Sequence, residues 1–183
     1  MGDGGWTRPI PLDAIALAWA TERPGTPVDS IGIVTRLWQA AKLLGEDRRR
    51  TLARAGADTA VLDLLSVLRR SGSPYRLSTR ELADATLVSA GAISQRVARA
   101  ERDGLVTRVT RADGSRRVDV GLTAAGHALV ERLVDGVLGR EADLVSCLDA
   151  DQQRELVGLL RVLLDGLQRE LGERRPSQVG DPG

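Results

Sequence analysis

The chain has 183 residues, 42% apolar and 28% charged, which allows a genuine hydrophobic core and excludes a disordered polymer. Twenty-six basic residues against 25 acidic ones leave a net charge of +1, so a polycation that coats nucleic acid is excluded and any basic surface must be local. One cysteine, Cys147, excludes an intrachain disulfide, and one histidine, His127, excludes a His-based zinc site within one chain and has no nucleophile motif nearby to serve a triad. Lys42 is the only lysine, so the positive charge is almost all planar, forked guanidinium. Phe is absent and Tyr75 is the only tyrosine, which leaves the core to Leu, Val, Ile and Ala. No apolar run has the length of a membrane span. The run Ala14 to Ala20 is too short for a secretion signal and follows Asp13 rather than a basic cluster, so the expected location is the cytoplasm.

Residues 1–11 carry Gly2, Gly4, Gly5, Pro9 and Pro11 and read as a flexible tail. Leu12, Ile15 and Trp19 fall at helical spacing and predict a short helix to Glu22, broken by Arg23-Pro24-Gly25-Thr26-Pro27. A long helix is predicted from about Ser30, capped by Asp29 or Ser30, with the stripe Ile31, Val34, Leu37, Trp38, Ala41 and Leu44, running to about Arg54. Thr59 starts the next helix, which Ser71-Gly72-Ser73-Pro74 stops, and Tyr75-Arg76-Leu77 is short and extended. Ser78-Thr79-Arg80-Glu81 is a capping box that opens a two-turn helix to about Thr86. Ser89 opens another, ending at Asp103-Gly104, where Gly104 suits a left-handed C′ position.

The apolar period then changes from 3.6 to 2. Leu105 to Val109 alternates, Asp113-Gly114 marks a hairpin turn, and Arg117 to Leu122 alternates again with Val118, Val120 and Leu122 on one face. Thr123 restarts helix broadly to Cys147, Asp149 caps a last helix over about 151–171, and a polar tail closes the chain. The expected fold is mainly α with a small β-wing: a winged helix-turn-helix with N- and C-terminal dimerisation helices. The last helix, striped with Leu156, Leu159, Leu160, Leu163 and Leu167, and the long early helix have no sheet to cover them, so a partner chain should. The expected organisation is a tail at 1–11, an extra helix and the first dimerisation helix at 12–56, a winged helix domain at 57–122, C-terminal dimerisation helices at 123–172, and a tail at 173–183.

The helix from Ser89 to Arg102 has two faces. Ile93, Val97 and Ala100 pack inward, whereas Ser89, Ala92, Gln95, Arg99 and Arg102 form a small or polar stripe that can approach a groove and reach base edges. Over 75–117 there are nine arginines against five acids, a local excess of four on a nearly neutral chain and an electrostatic footprint of duplex binding. Arg116 and Arg117 sit where a hairpin enters a flanking minor groove. The expected DNA-binding set is Ser78, Thr79, Ser89, Ala92, Gln95, Arg99, Arg102, Arg116 and Arg117, and no catalytic residue is expected.

Leu77 to Ala83, Gly104-Leu105-Val106 and Arg116 through Leu122-Thr123-Ala124-Ala125-Gly126 carry a resemblance to the MarR family of winged-helix transcription regulators, over residues 30–170. The resemblance implies an obligate homodimer that sets each recognition helix in a major groove of double-stranded operator DNA. The family's wing places Asp-Arg-Arg before its second strand. Here Asp113-Gly114-Ser115-Arg116 places the acid differently, which puts a wing-stiffening Asp113–Arg pair in doubt.

The chain is also similar to a narrower, urate-responsive branch of that family, which adds a helix before the usual first one. That resemblance implies a ligand site of Trp19 as stacking platform, the buried acid Asp63, the inward-turning Arg96 and Arg108 on the first wing strand. The chemistry fits: an acid among Val61, Leu62, Leu64, Leu65 and Val67 needs a partner, which Arg108 can supply, and a flat, weakly acidic purine could stack on Trp19 and pair with Arg96. The plainer roles stay open: Trp19 as dimer core, Asp63 as a dipole partner in a first turn, Arg96 as a phosphate contact. The reading is a repressor released from its operator by urate or a related purine. One alternative senses a phenolic compound or an oxidant; another, of a different class, is a winged-helix module that binds protein and not DNA. Cys147 is expected as a buried small apolar residue, His127 as exposed or next to a cap, and Trp38 as dimer core. No cofactor or metal is expected.

Overall fold

Side-chain caps set most of the element boundaries in the computed structural model, which describes residues 12–110 and 118–172. The helices are α1 (Leu12–Glu22), α2 (Asp29–Arg54), α3 (Thr59–Arg70), α4 (Thr79–Thr86), α5 (Ala90–Arg102), α6 (Ala124–Val145) and α7 (Ala150–Leu171), and the strands are β1 (Arg76–Ser78), β2 (Val106–Thr110) and β3 (Val118–Leu122). Asp58, Ser78, Ser89, Thr123 and Asp149 each accept a hydrogen bond from a first-turn amide of the helix that follows, and Ser78 with Glu81 and Asp149 with Gln152 complete capping boxes. Asp29 already lies inside the first turn of α2, so neither it nor Ser30 is that helix's cap.

The described chain divides into two compact units, one up to Glu46 and one from Asp47 onward. In the second, α3 supplies Val61, Leu64, Leu65 and Leu68 to a core shared with Leu82 of α4, Ile93, Val97 and Ala100 of α5, Val106 of β2, Val120 of β3 and Val130 of α6. A smaller cluster joins Leu52, Leu62, Leu133 and Val137. The absence of aromatic rings from both follows from the composition, and Leu and Val fill the space by interdigitation.

The sheet departs from the expected two-stranded ribbon. It has three antiparallel strands in the order β1-β3-β2, because Arg76–Ser78 pairs with β3 in the register Leu77↔Val120, while Arg108 of β2 faces Val120 from the other side. The inward face of β3 is narrower than its alternation suggests: Val120 is buried, Leu122 half-buried and Val118 exposed. Gly104 turns α5 into β2 at φ 71°, a backbone region that a Cβ disfavours. At the head of α6, Gly126 lies so close to the wing that a Cβ would overlap the Leu105 carbonyl oxygen.

Large apolar surface remains on single elements. No residue of α7 is buried, and Leu159 and Leu171 are 62% and 72% exposed. On α2, Trp38 is 75% exposed. Cys147 is exposed, contrary to the buried role expected for it, because it follows the end of α6 in the turn before the Asp149 cap instead of continuing an apolar stripe. His127 is half-buried and meets Tyr75 edge to face at 4.6 Å. No helix among the described residues is long and apolar enough to cross a membrane.

Candidate functional site

The helix pair is built from two short-range signals. Ser78 accepts from the Glu81 amide at 3.2 Å while the Glu81 carboxylate accepts from the Ser78 amide at 2.8 Å, which starts α4. Leu87, at φ 56°, ends α4 in the left-handed region, and Ser89 accepts from the Ala92 amide at 3.2 Å to start α5 two residues later. The core side of α5 is fixed by Ile93, Val97 and Ala100, at most 2% exposed. The opposite side presents Ser89, Gln95, Arg99 and Arg102 as exposed residues, with Ala92 half-buried. Thr79 is exposed and Ser78 half-buried at the start of α4. Arg116 and Arg117, and Asp113 with them, lie outside the described residues.

The guanidinium groups differ in what holds them. Arg99 donates from Nη1 to Asp58 Oδ2 at 2.7 Å and lies 3.9 Å from Asp103. Burial works against the Asp58 carboxylate, but its bonds from the Val61 amide and Arg99 outweigh that and hold its pKa below the ordinary value. Arg102 donates from Nε to the Ala98 carbonyl of its own helix at 3.4 Å. Arg108 does not meet Asp63 as expected: its Nε lies 3.5 Å from Glu101, the acid at the end of α5, where the α5–β2 turn brings the two side by side.

Arg96 takes the place expected for Arg108. It projects from the edge of the inward stripe of α5, and its Nη1 lies 3.9 Å from Asp63 Oδ2, with side-chain exposures of 28% and 13%. That nitrogen is buried and makes no hydrogen bond, so it is held by charge alone. Asp63 also lines a cleft of about 560 Å³ between α3 and α6. The cleft floor is Leu62, Val130, Val134, Val137 and Leu138, and its rim carries Arg48, Ser66, Arg69, Arg70 and Glu141. Arg48 donates to Glu141 at 3.0 Å, while its Nε is buried without a hydrogen bond. Sequence reasoning missed this rim; Arg48 and Glu141 are 93 residues apart and no local pattern links them.

In the first unit, Trp19 is 52% exposed and lines a shallow hollow of about 250 Å³ with Ala14, Ile15, Ala18 and Glu22, all on α1. Among the described residues no group of three or more His, Cys, Asp or Glu could hold a metal ion.

A helix pair whose second helix is packed on one face and open on the other, backed by a three-stranded antiparallel sheet, defines a winged helix-turn-helix protein. Residues 56–117 match the profile of the MarR family. The chain is 25% identical over 168 residues to the HTH-type transcriptional regulator PecS of Dickeya dadantii, covering 92% of this chain and 99% of that one. Its fold is similar to that of Sco3205, a MarR family transcriptional regulator from Streptomyces coelicolor in complex with DNA, with 29% identity, a TM-score of 0.62 and coverage of 76% and 92% of the two chains. It is also similar to NadR in complex with 4-hydroxyphenylacetate, with 28% identity, a TM-score of 0.56 and coverage of 74% and 91%. The chain is thus similar to MarR family transcription regulators, over its helix pair and first wing strand in the family profile and over most of its length in these relatives.

Proposed function

We propose that the protein is a homodimeric repressor that holds operator DNA through α4, α5 and the wing, and releases it when a small anionic aromatic molecule, urate or a related purine, binds near Arg96. The observation that carries the effector reading is the buried Nη1 of Arg96, 3.9 Å from Asp63 and without a hydrogen bond. A buried guanidinium nitrogen left unbonded is costly, and an incoming anion would supply the missing acceptor. Asp63 reaches the α3/α6 cleft, so an anion there would compete with it for Arg96. Because Arg96 stands between Ile93 and Val97 on α5, a change of its partner acts on the helix that meets DNA. Binding of effector and of DNA would then weaken each other equally. Trp19 enters as stacking partner through the sequence resemblance alone, and so does the role of Arg108.

The dimer rests on apolar area that one chain leaves open. Leu156, Val157, Leu159, Val162, Leu164, Leu167 and Leu171 of α7 are all more than 40% exposed, an unusual concentration for a soluble surface helix. The solved complex of NadR with 4-hydroxyphenylacetate favours a second reading in which the effector is a phenolic acid. A gel shift on the intergenic DNA beside the protein's own gene, titrated with urate, xanthine, salicylate and 4-hydroxyphenylacetate, decides between them. Urate-dependent release that vanishes in Arg96→Ala and Trp19→Ala supports the purine reading; full response in both variants refutes it. Duplex binding that ignores salt and survives Arg102→Ala and Arg116→Ala would instead indicate a module that does not grip phosphates.

A further inference from the structure

We propose that Asp58 is a specificity-determining residue of the DNA interface: it positions Arg99 and withholds that charge from the phosphates every duplex offers. This rests on the DNA-binding reading and adds to it a residue outside the helix-turn-helix.

The Asp58 carboxylate is fixed from two sides. As N-cap of α3 it accepts from the Val61 amide at 2.9 Å through Oδ1, which ties its rotamer to the helix backbone. Its other oxygen, Oδ2, accepts from Arg99 Nη1 at 2.7 Å. A second carboxylate, Asp103, stands 3.9 Å from Arg99 Nε, so the guanidinium at the third turn of α5 lies between two acids. A phosphate reaching Arg99 would meet a trio with net charge −1 rather than a bare cation. Both partners of the Asp58–Arg99 bond are about half exposed, which leaves the arginine within reach of a duplex without leaving it ungoverned. A short charge-assisted bond with a fixed geometry orients its donor, and an oriented fork suits a base edge better than a phosphate found by chance.

The same logic runs through the module. Arg96 faces Asp63 and Arg108 faces Glu101, so three of the arginines that give the stretch its basic excess each have a carboxylate within 4 Å. Non-specific affinity is set by the number of phosphates neutralised. Holding Arg99 lowers that number, and with it the affinity for the wrong sequence.

The test is the salt dependence of binding to a random-sequence duplex and to the protein's own intergenic DNA, for the intact protein and for Asp58→Asn, Arg99→Ala and the double variant. Asparagine keeps the capping oxygen and removes the charge. The expected result is that Asp58→Asn steepens the slope of log K against log salt on random DNA by about 0.9. That is a roughly threefold larger loss of affinity between 50 and 200 mM salt. The ratio of specific to random binding falls, and adding Arg99→Ala cancels the change. Arg99→Ala alone leaves the random-DNA slope as it is. An unchanged slope in Asp58→Asn, or a steepening that persists in the double variant, overturns the inference while the DNA reading stands. If the intact protein binds neither duplex at any salt, the DNA reading falls and takes the inference with it.

Discussion

Gly126 joins the wing to α6, and its replacement gives a sharp stability prediction. Thr123 caps α6 by accepting from the Gly126 amide at 3.0 Å and donates from its own hydroxyl to the Gly104 carbonyl at 2.7 Å. The Thr123 amide donates to the Leu105 carbonyl at 3.1 Å. The first turn of α6 is thereby tied to the α5–β2 turn, and the Leu105 peptide cannot swing aside without losing that bond. An alanine Cβ at 126 would overlap the Leu105 oxygen, lie 3.0 Å from its carbonyl carbon and 3.2 Å from Leu122 Cδ2. Overpacking of this kind costs typically 1–3 kcal/mol, and the upper part of that range applies because the obstacle is backbone. Alanine returns about 1 kcal/mol of helix propensity. The expected net loss is about 2 kcal/mol, equivalent to a fall in Tm of roughly 4–8 °C for a chain of this size. Thermal unfolding followed by circular dichroism at fixed protein concentration measures it. Gly139→Ala, on the same helix with nothing within 4 Å of the added atom, serves as comparison and should hold or raise Tm. A Gly126→Ala protein that melts with the parent would show that the wing yields freely, and the close-approach argument would be wrong.

Leu65 is completely buried where α3 meets the core, so Leu65→Ala should cost about 2–5 kcal/mol in denaturant unfolding; a loss below 1 kcal/mol would mean that the core collapses around the gap. Ser78→Ala removes one half of a capping box and should cost about 1 kcal/mol by the same assay, while Ser78→Asp should retain most of it. Asp58 has its pKa lowered in the folded chain, so its stabilisation is complete above the ordinary carboxylate value, about 4, and is lost as pH falls through the lower folded value. Comparing Tm from pH 6 to pH 2 should show a smaller decline in Asp58→Asn than in the parent; parallel declines would remove Asp58 from the acid transition.

The elements were legible in the sequence wherever a cap or a period marked them. Ser78-x-x-Glu81, Ser89, Thr123 and Asp149 marked the caps of four helices, because capping is a contact over three positions. β1 as a sheet strand was not legible: three residues hold no period, and its partner lies some forty positions on. The site was half legible. That Asp63 needs a cation follows from its apolar neighbours, but which arginine reaches it depends on the crossing of α3 and α5, and Arg96 rather than Arg108 does so. Asp58 passed unnoticed although an acid just before Thr59 is a good cap; its second bond, to a residue 41 positions away, leaves no local trace.

A single 13-residue helix, α5, has one packed side and one open side, and the two fall on different residues. Ile93, Val97 and Ala100 are closed to almost any exchange, since each change there is felt by the whole lobe. On the open side Gln95 and Arg102 are exposed and hold no helix cap, unlike Ser89, which caps α5, and Arg99, which bonds the Asp58 cap of α3. If α5 reads DNA as proposed, exchanges at Gln95 and Arg102 would alter the target sequence and leave the packed side of the helix intact.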